Sequence, residues 1–223
     1  QVNHIINWTG HINPVKEIAA AVHAKGPEVM IDGAHTFGHF VFSVPELGGD
    51  YYGTSLHKWM SATIGSGMLW IKKEKIHKVW PLMGAPETLD KNDIRKFESL
   101  GTRNFPIEYS IATAIDFHQM IGPERKEARL RYLRDYWVNK CSDIPTFILN
   151  TSLTKSYSCA IANFSLDGIE PGDIATKLFT EHGVHCVSIV WENIKGVRIA
   201  PHVYTSLYDL DALVKGIHKI AGK

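Results

Sequence analysis

A chain of 223 residues with a net charge of +1, 44% hydrophobic and 21% charged, is long enough to bury a substantial core in one or two domains. It shows no basic run or stripe, which argues against a reader of nucleic-acid phosphates. No apolar stretch approaches the ~18 residues a membrane span needs. Cys141, Cys159 and Cys186 are widely spaced and form no CxxC pair, so they read as reduced thiols and favour a cytoplasmic setting.

The opening "VNHIINW", entered without an initiator methionine, reads as a buried strand met partway through a domain, so the chain is expected to belong to a longer protein. "PVKEIAAAVHAKG" follows as a helix, with Pro near its start, Gly26 as its stop and an apolar face of Val15, Ile18, Ala19 and Val22. "EVMID" is a short strand ending in an acid, and "DYYGTS" and "SGMLWIK" are two further strands flanking a turn at "SLHKWM". "EKIHKVW" reads as a short helix, followed by a loop from Pro81 to about Asp93. Pro106 to Ile121 and the charged Pro123 to Lys140 are two helices. The remainder alternates: strands at "FILN" and "SCAIANFSL", a helix at "EPGDIATKLFTEHG", and strands at "VHCVSIV" and "GVRIA". A closing amphipathic helix presents Leu210, Leu213, Ile217 and Ile220. Strand–helix alternation of this kind predicts an α/β fold. A larger domain is expected over residues 1–125 and a small α/β domain over 126–223.

Asp32 ends a predicted strand and is followed by Gly33, Ala34 and His35; in α/β sheets ligands gather beyond the carboxyl ends of strands. Taken alone, such an aspartate also serves to cap a turn. Lys58 follows the next strand, between His57 and Trp59. An amine becomes a useful nucleophile when desolvation or neighbouring cations lower its pKa, and Trp59 and Met60 would supply an apolar wall. Together, a strand-end carboxylate and a turn lysine match the needs of pyridoxal phosphate, which takes an acid at its pyridine nitrogen and an amine at its aldehyde. Ser55 and His57 are suitable donors to its phosphate. The histidines offer no metal site: His35 and His39 are spaced HxxxH but flanked by Gly33 and Gly38, and "HGVHC" runs from a helix stop into a strand.

At this point the sequence resembles a known family. "IDGAHTFG", "YYGTSLHKW" with "GSGMLWIKK", "GTRN" and "GVRIAPHVYTSLYDLD", in that order, are similar to the class V aminotransferase family, the fold type I pyridoxal phosphate enzymes, and within it to the isopenicillin N epimerase-like branch. The resemblance implies a partial large cofactor-binding domain with a mainly parallel sheet plus a small C-terminal α/β domain. It implies Lys58 as the Schiff-base lysine that also moves the Cα proton, and Asp32 at the pyridine nitrogen. His35 falls at the contact with the cofactor's phenolic oxygen, and Ser55 and His57 at its phosphate. Thr102 would reach the phosphate of a second copy in a homodimer, and Arg198 would hold the α-carboxylate of an amino acid substrate. Each also has an ordinary structural reading: His35 in a turn, His57 in packing, Thr102 as a helix cap, Arg198 in an ion pair. The activity implied is transamination, epimerisation or racemisation at the α-carbon.

Two departures bear on that reading. Cysteine desulfurases of this family carry a nucleophilic cysteine on a loop shortly before the arginine motif; here Cys186 falls in a predicted apolar strand, where a thiol is inert. A desulfurase or kynureninase-type lyase is therefore the second reading. The family's phosphate-capping Gly/Thr loop and the residue that stacks on the pyridine ring would lie upstream, which leaves a non-catalytic fragment as the third.

Overall fold

The computed structural model describes residues 1–84 and 89–222, so residues 85–88, within the predicted loop after Pro81, lie outside the described residues. The first half runs β1 (Val2–Asn3), β2 (Ile5–Ile6), β3 (His11–Ile12), α1 (Val15–His23), β4 (Met30–Asp32), β5 (Tyr51–Ser55), β6 (Gly67–Ile71) and α2 (Phe105–Ile121). The second half adds α3 (Pro123–Cys141), β7 (Phe147–Leu149), β8 (Ala162–Leu166), α4 (Pro171–His182), β9 (Val187–Trp191), β10 (Ile194–Ile199) and α5 (Leu207–Ile220). Short 3-10 turns occupy Val44–Leu47, Lys73–Lys78 and Ile94–Phe97. "EKIHKVW" is thus a 3-10 turn rather than an α-helix.

Two compact units result. The first comprises Gln1–His4, Pro14–Phe37 and Phe42–Met120. Its sheet has the order β1-β4-β5-β6, with β1 and β5 both parallel to β4 and β6 antiparallel to β5. Val15 and Ala19 of α1 pack with Val29, Ile31, Leu47 and Tyr52, four residues apart on one helical face as the sequence predicts. Ile31 and Tyr52 are register partners in the parallel ladder, so both point to this core. The opposite face carries the next pair along, Asp32 with Gly53.

The second unit comprises Ile5–Asn13, Gly38–Val41 and Ile121–Lys223, of which Lys223 lies outside the described residues. Its four-stranded sheet, β7-β8-β10-β9, is antiparallel throughout. One face meets three helices: Leu133, Trp137, Val138 and Cys141 of α3, Ile174 and Leu178 of α4, and Leu210, Leu213 and Ile217 of α5 surround Phe164, Leu166 and Val197. Trp137 lies edge-on to Phe147 and Phe164 at 6.3 and 5.7 Å, the arrangement that aromatic quadrupoles favour.

The stretch "VNHIINW" does not form one strand. β1 pairs with β4, and the ladder ends where the His4 amide donates to the Asp32 carbonyl at 2.9 Å. β2 then turns into an antiparallel hairpin with β3 and belongs to the second unit. Alternation of apolar residues gives a strand its two faces but does not say which neighbour each half will find.

Candidate active site

The first unit gathers a set of chemically able groups beyond the carboxyl ends of β4 and β5. Asp32 and Gly53 are register partners, and Ser55 lies two residues past Gly53, so period-two alternation puts Asp32 and Ser55 on one face of the sheet. Asp32 Oδ1 accepts from the Ala34 amide at 2.9 Å, which holds the carboxylate over the turn. That turn is braced from beneath. The Gly33 carbonyl accepts from Thr36 Oγ1 at 3.1 Å and Thr54 Oγ1 at 2.9 Å, and Thr36 Oγ1 lies 2.8 Å from the Tyr52 hydroxyl. A Cβ at Gly33 would sit 2.1 Å from the Tyr52 ring, so only glycine permits this approach. Burial pushes the Tyr52 phenol up to about 12, which keeps its proton available to the brace.

Lys58 sits in the tight connection between β5 and β6. Leu56 N donates to Ser66 O, Ala62 N to Leu56 O, and Ser61 N to Lys58 O, at 3.1, 3.0 and 3.1 Å. Ser61 takes a left-handed φ of 63°, an uncommon conformation for a residue with a side chain and one found where a site is held in place. Trp59 and Met60 are each 4% exposed, and Met60 packs with Leu56, Ala62 and Ala114. Lys58 itself is half-buried, and its Nζ lies 3.1 Å from His35 Nε2. His57 Nδ1 donates to the Ser66 carbonyl at 3.0 Å. A neutral ring then has only a lone pair at Nε2, so His57 donates to an anion there only as the imidazolium. Lys58, His35, Asp32, Ser55 and His57 all belong to this unit. Thr102 belongs to it as well, exposed in a bend between Gly101 and Arg103.

Arg198 belongs to the second unit. It stands on β10 opposite Asn163 of β8 and Val187 of β9, and its Nη1 donates to the Asn7 carbonyl at 3.3 Å. Desolvation by burial lowers its pKa from the ordinary arginine value, which favours an anionic partner. Beneath it, Asn150 Nδ2 donates to Asn163 Oδ1 at 2.8 Å, and Asn163 Nδ2 to the Trp8 carbonyl at 3.1 Å. Gly196 is required here, since a Cβ would meet Asn163 Oδ1 at 2.0 Å.

Cys186 precedes β9 rather than lying within a strand. Its side chain packs against the helix-facing core, and burial pushes its thiol up to about 11. The neighbouring Val187 is the register partner of Arg198, so alternation directs Cys186 and Arg198 to opposite faces.

The sequence reading did not single out Thr36, Tyr52, Thr54 or Asn7. Tyr52 and Thr54 were accessible from the period-two pattern of "YYGTS", which turns them inward together. Asn7 carried no local signal, because its place beside Arg198 is set by long-range folding.

The Aminotransferase class-V family profile matches residues 1–213, and the chain belongs to that family. A protein named "Probable cysteine desulfurase" from Halalkalibacterium halodurans is 30% identical over 98% of this chain and 57% of its own length. Isopenicillin N epimerase from Streptomyces clavuligerus is 25% identical over 99% of the chain and 60% of its own length. Among solved structures, the cysteine desulfurase of Thermococcus onnurineus NA1 superposes with a TM-score of 0.86 at 22% identity, covering 98% of this chain and 58% of that one. The chain therefore spans a little over half the length of these relatives. Its fold is the fold type I architecture of pyridoxal phosphate-dependent enzymes, with a partial large domain and a small C-terminal α/β domain.

Proposed function

We propose that this chain carries the cofactor lysine and the substrate-carboxylate arginine of a pyridoxal 5′-phosphate enzyme acting at the α-carbon of an amino acid, by transamination or by epimerisation or racemisation. The observation that carries the reading is Lys58 Nζ at 3.1 Å from His35 Nε2, on a turn beyond the strand ends that present Asp32 and Ser55. The donor set fits the cofactor: an amine for its aldehyde, a carboxylate for its ring nitrogen, and a hydroxyl and an imidazole for its phosphate.

When bound, the cofactor supplies an electron sink for the pair left at Cα. Lys58 would hold the cofactor through its amine, and the same amine would remove and return the proton at Cα. Asp32 would pair with the ring nitrogen and hold its proton, with its carboxylate aimed by the Ala34 amide. Ser55 and His57 would hold the phosphate, and His35, 3.1 Å from the amine, would orient Lys58. Trp59 and Met60, both buried, anchor the turn that carries Lys58 to the core of the unit. Arg198 binds the substrate carboxylate through its bidentate fork. Thr102, exposed on the first unit, is assigned to the phosphate of a second copy in a homodimer.

The test is covalent capture. Purified chain supplied with pyridoxal phosphate and then reduced with borohydride is expected to hold the adduct on the peptide containing Lys58, and to lose it on Lys58→Ala. An adduct that persists in that variant, or none in the parent chain, overturns the lysine assignment.

Cysteine desulfuration is the second reading, favoured by the 30% identical relative being named a probable cysteine desulfurase. The placement of Cys186 opposes it, because a thiol held protonated against the core on the face opposite Arg198 is a poor nucleophile. Any sulfide released from L-cysteine is expected to be unchanged by Cys186→Ser. A loss of more than about tenfold would mean that the thiol is the nucleophile.

A further inference from the structure

Between Arg198 and the β9–β10 turn, one face of the second unit's sheet has an unusual composition. Val187, Ile189 and Trp191 are the register partners of Arg198, Gly196 and Ile194, and cross-strand partners share a face. Arg198 and Trp191 are therefore on the same side, opposite the core that takes Phe164 and Val197. The ring of Trp191 stands 5.8 Å from that of Trp8, tilted by 39°. Trp191 is 57% exposed, a costly state for the largest apolar side chain.

Trp8 links the two ends of this strip. It directly follows Asn7, whose carbonyl takes the Arg198 guanidinium, and its own carbonyl is pinned by the fully buried Asn163. The guanidinium thus ends one residue from the indole pair, while Ile194 lies four positions before Arg198 on β10. The strip is roughly 13 Å long at the rise of an antiparallel strand. Among the described residues on this face between Arg198 and Trp191, none is charged: they are Val187, Ile189, Ile194, Gly196 and Asn163. An anion-binding head, a floor of amides and aliphatics, and an aromatic end form a gradient matched by a carboxylate with an apolar ring behind it.

We propose that Trp8 and Trp191 form the side-chain subsite for the amino acid whose carboxylate Arg198 holds, and that they select a planar, uncharged side chain such as that of phenylalanine. This rests on the assignment of Arg198 made above. The indole pair supplies aromatic contact area, and the uncharged strip offers no partner to a basic or acidic side chain.

The probes are 3-phenylpropanoate and propanoate, measured by calorimetry on the whole chain. They share the carboxylate, differ in the ring, and lack the amine, so neither needs the cofactor. We expect phenylpropanoate to bind about tenfold more tightly or better, Trp191→Ala to bring it near propanoate, and Trp191→Phe to keep most of the preference. Arg198→Gln is expected to weaken both acids. Equal binding of the two acids, no binding of either, or a preference that survives Trp191→Ala overturns the proposal. So does binding of both acids left unchanged by Arg198→Gln, or sedimentation showing that Trp191→Ala dissociates a dimer, which would make the pair an interface between copies. Borohydride capture at Lys58 is read separately, so failure of the cofactor reading and failure of this subsite are told apart.

Discussion

Replacing Asp32 by Asn is expected to slow exchange of the α-proton of L-phenylalanine or L-alanine with solvent deuterium by about 10²- to 10⁴-fold, while borohydride capture at Lys58 persists. Asn keeps the size of the side chain and an oxygen for the Ala34 amide that Asp32 Oδ1 now accepts at 2.9 Å. The Thr36–Tyr52–Thr54 brace under the turn does not involve the side chain at position 32. What is lost is the negative charge that, on the proposed assignment, would keep a proton on the ring nitrogen. Exchange of the α-proton is common to transamination and epimerisation, so the readout serves either form of the proposed activity. Exchange within threefold of the parent, in a variant that still captures the cofactor, would sink the assignment of Asp32.

The largest expected effect on stability comes from a buried histidine. His4 is 4% exposed, its ring lies 4.9 Å from that of Phe42, and burial lowers its pKa from 6.5 to about 4. The folded state therefore binds the His4 proton more weakly than the unfolded chain. The neutral ring's contribution is complete above about pH 6.5 and is lost as the pH falls toward 4, amounting to about 3 kcal/mol over that window. Against a total of roughly 5–15 kcal/mol for a typical domain, that is a large share. His4→Phe keeps the aromatic packing and removes the titration. Urea unfolding at pH 7 and pH 4.5 is expected to show a smaller loss in the variant than in the parent. Equal losses would show that His4 does not govern the acid sensitivity.

Helices were legible where one apolar face repeats for several turns. Val15 with Ala19, and Leu210, Leu213 and Ile217, are buried where the spacing puts them. The short strands β4, β5 and β6 were legible because Gly, Asp and Ser punctuate them closely. The breakdown of "VNHIINW" at His4 was not, since pairing with β4 on one side and β3 on the other depends on partners far along the chain. "EKIHKVW" carried helical spacing over too few residues to nucleate an α-helix, and it settles as a 3-10 turn.

By itself, the sequence determined the family and the order of its chemistry: an acid after one strand, a lysine after the next, an arginine near the end. These are local signals, because strand ends and turns are written in consecutive residues. Tertiary structure alone decided which groups face one another. It brought Lys58 to His35, braced the Asp32 turn with Tyr52 and Thr54, and turned Cys186 toward the core while Arg198 took the opposite face. It also set Trp8 against Trp191. Register between strands fixes such facing, and register is a property of pairs of distant segments that neither segment encodes alone.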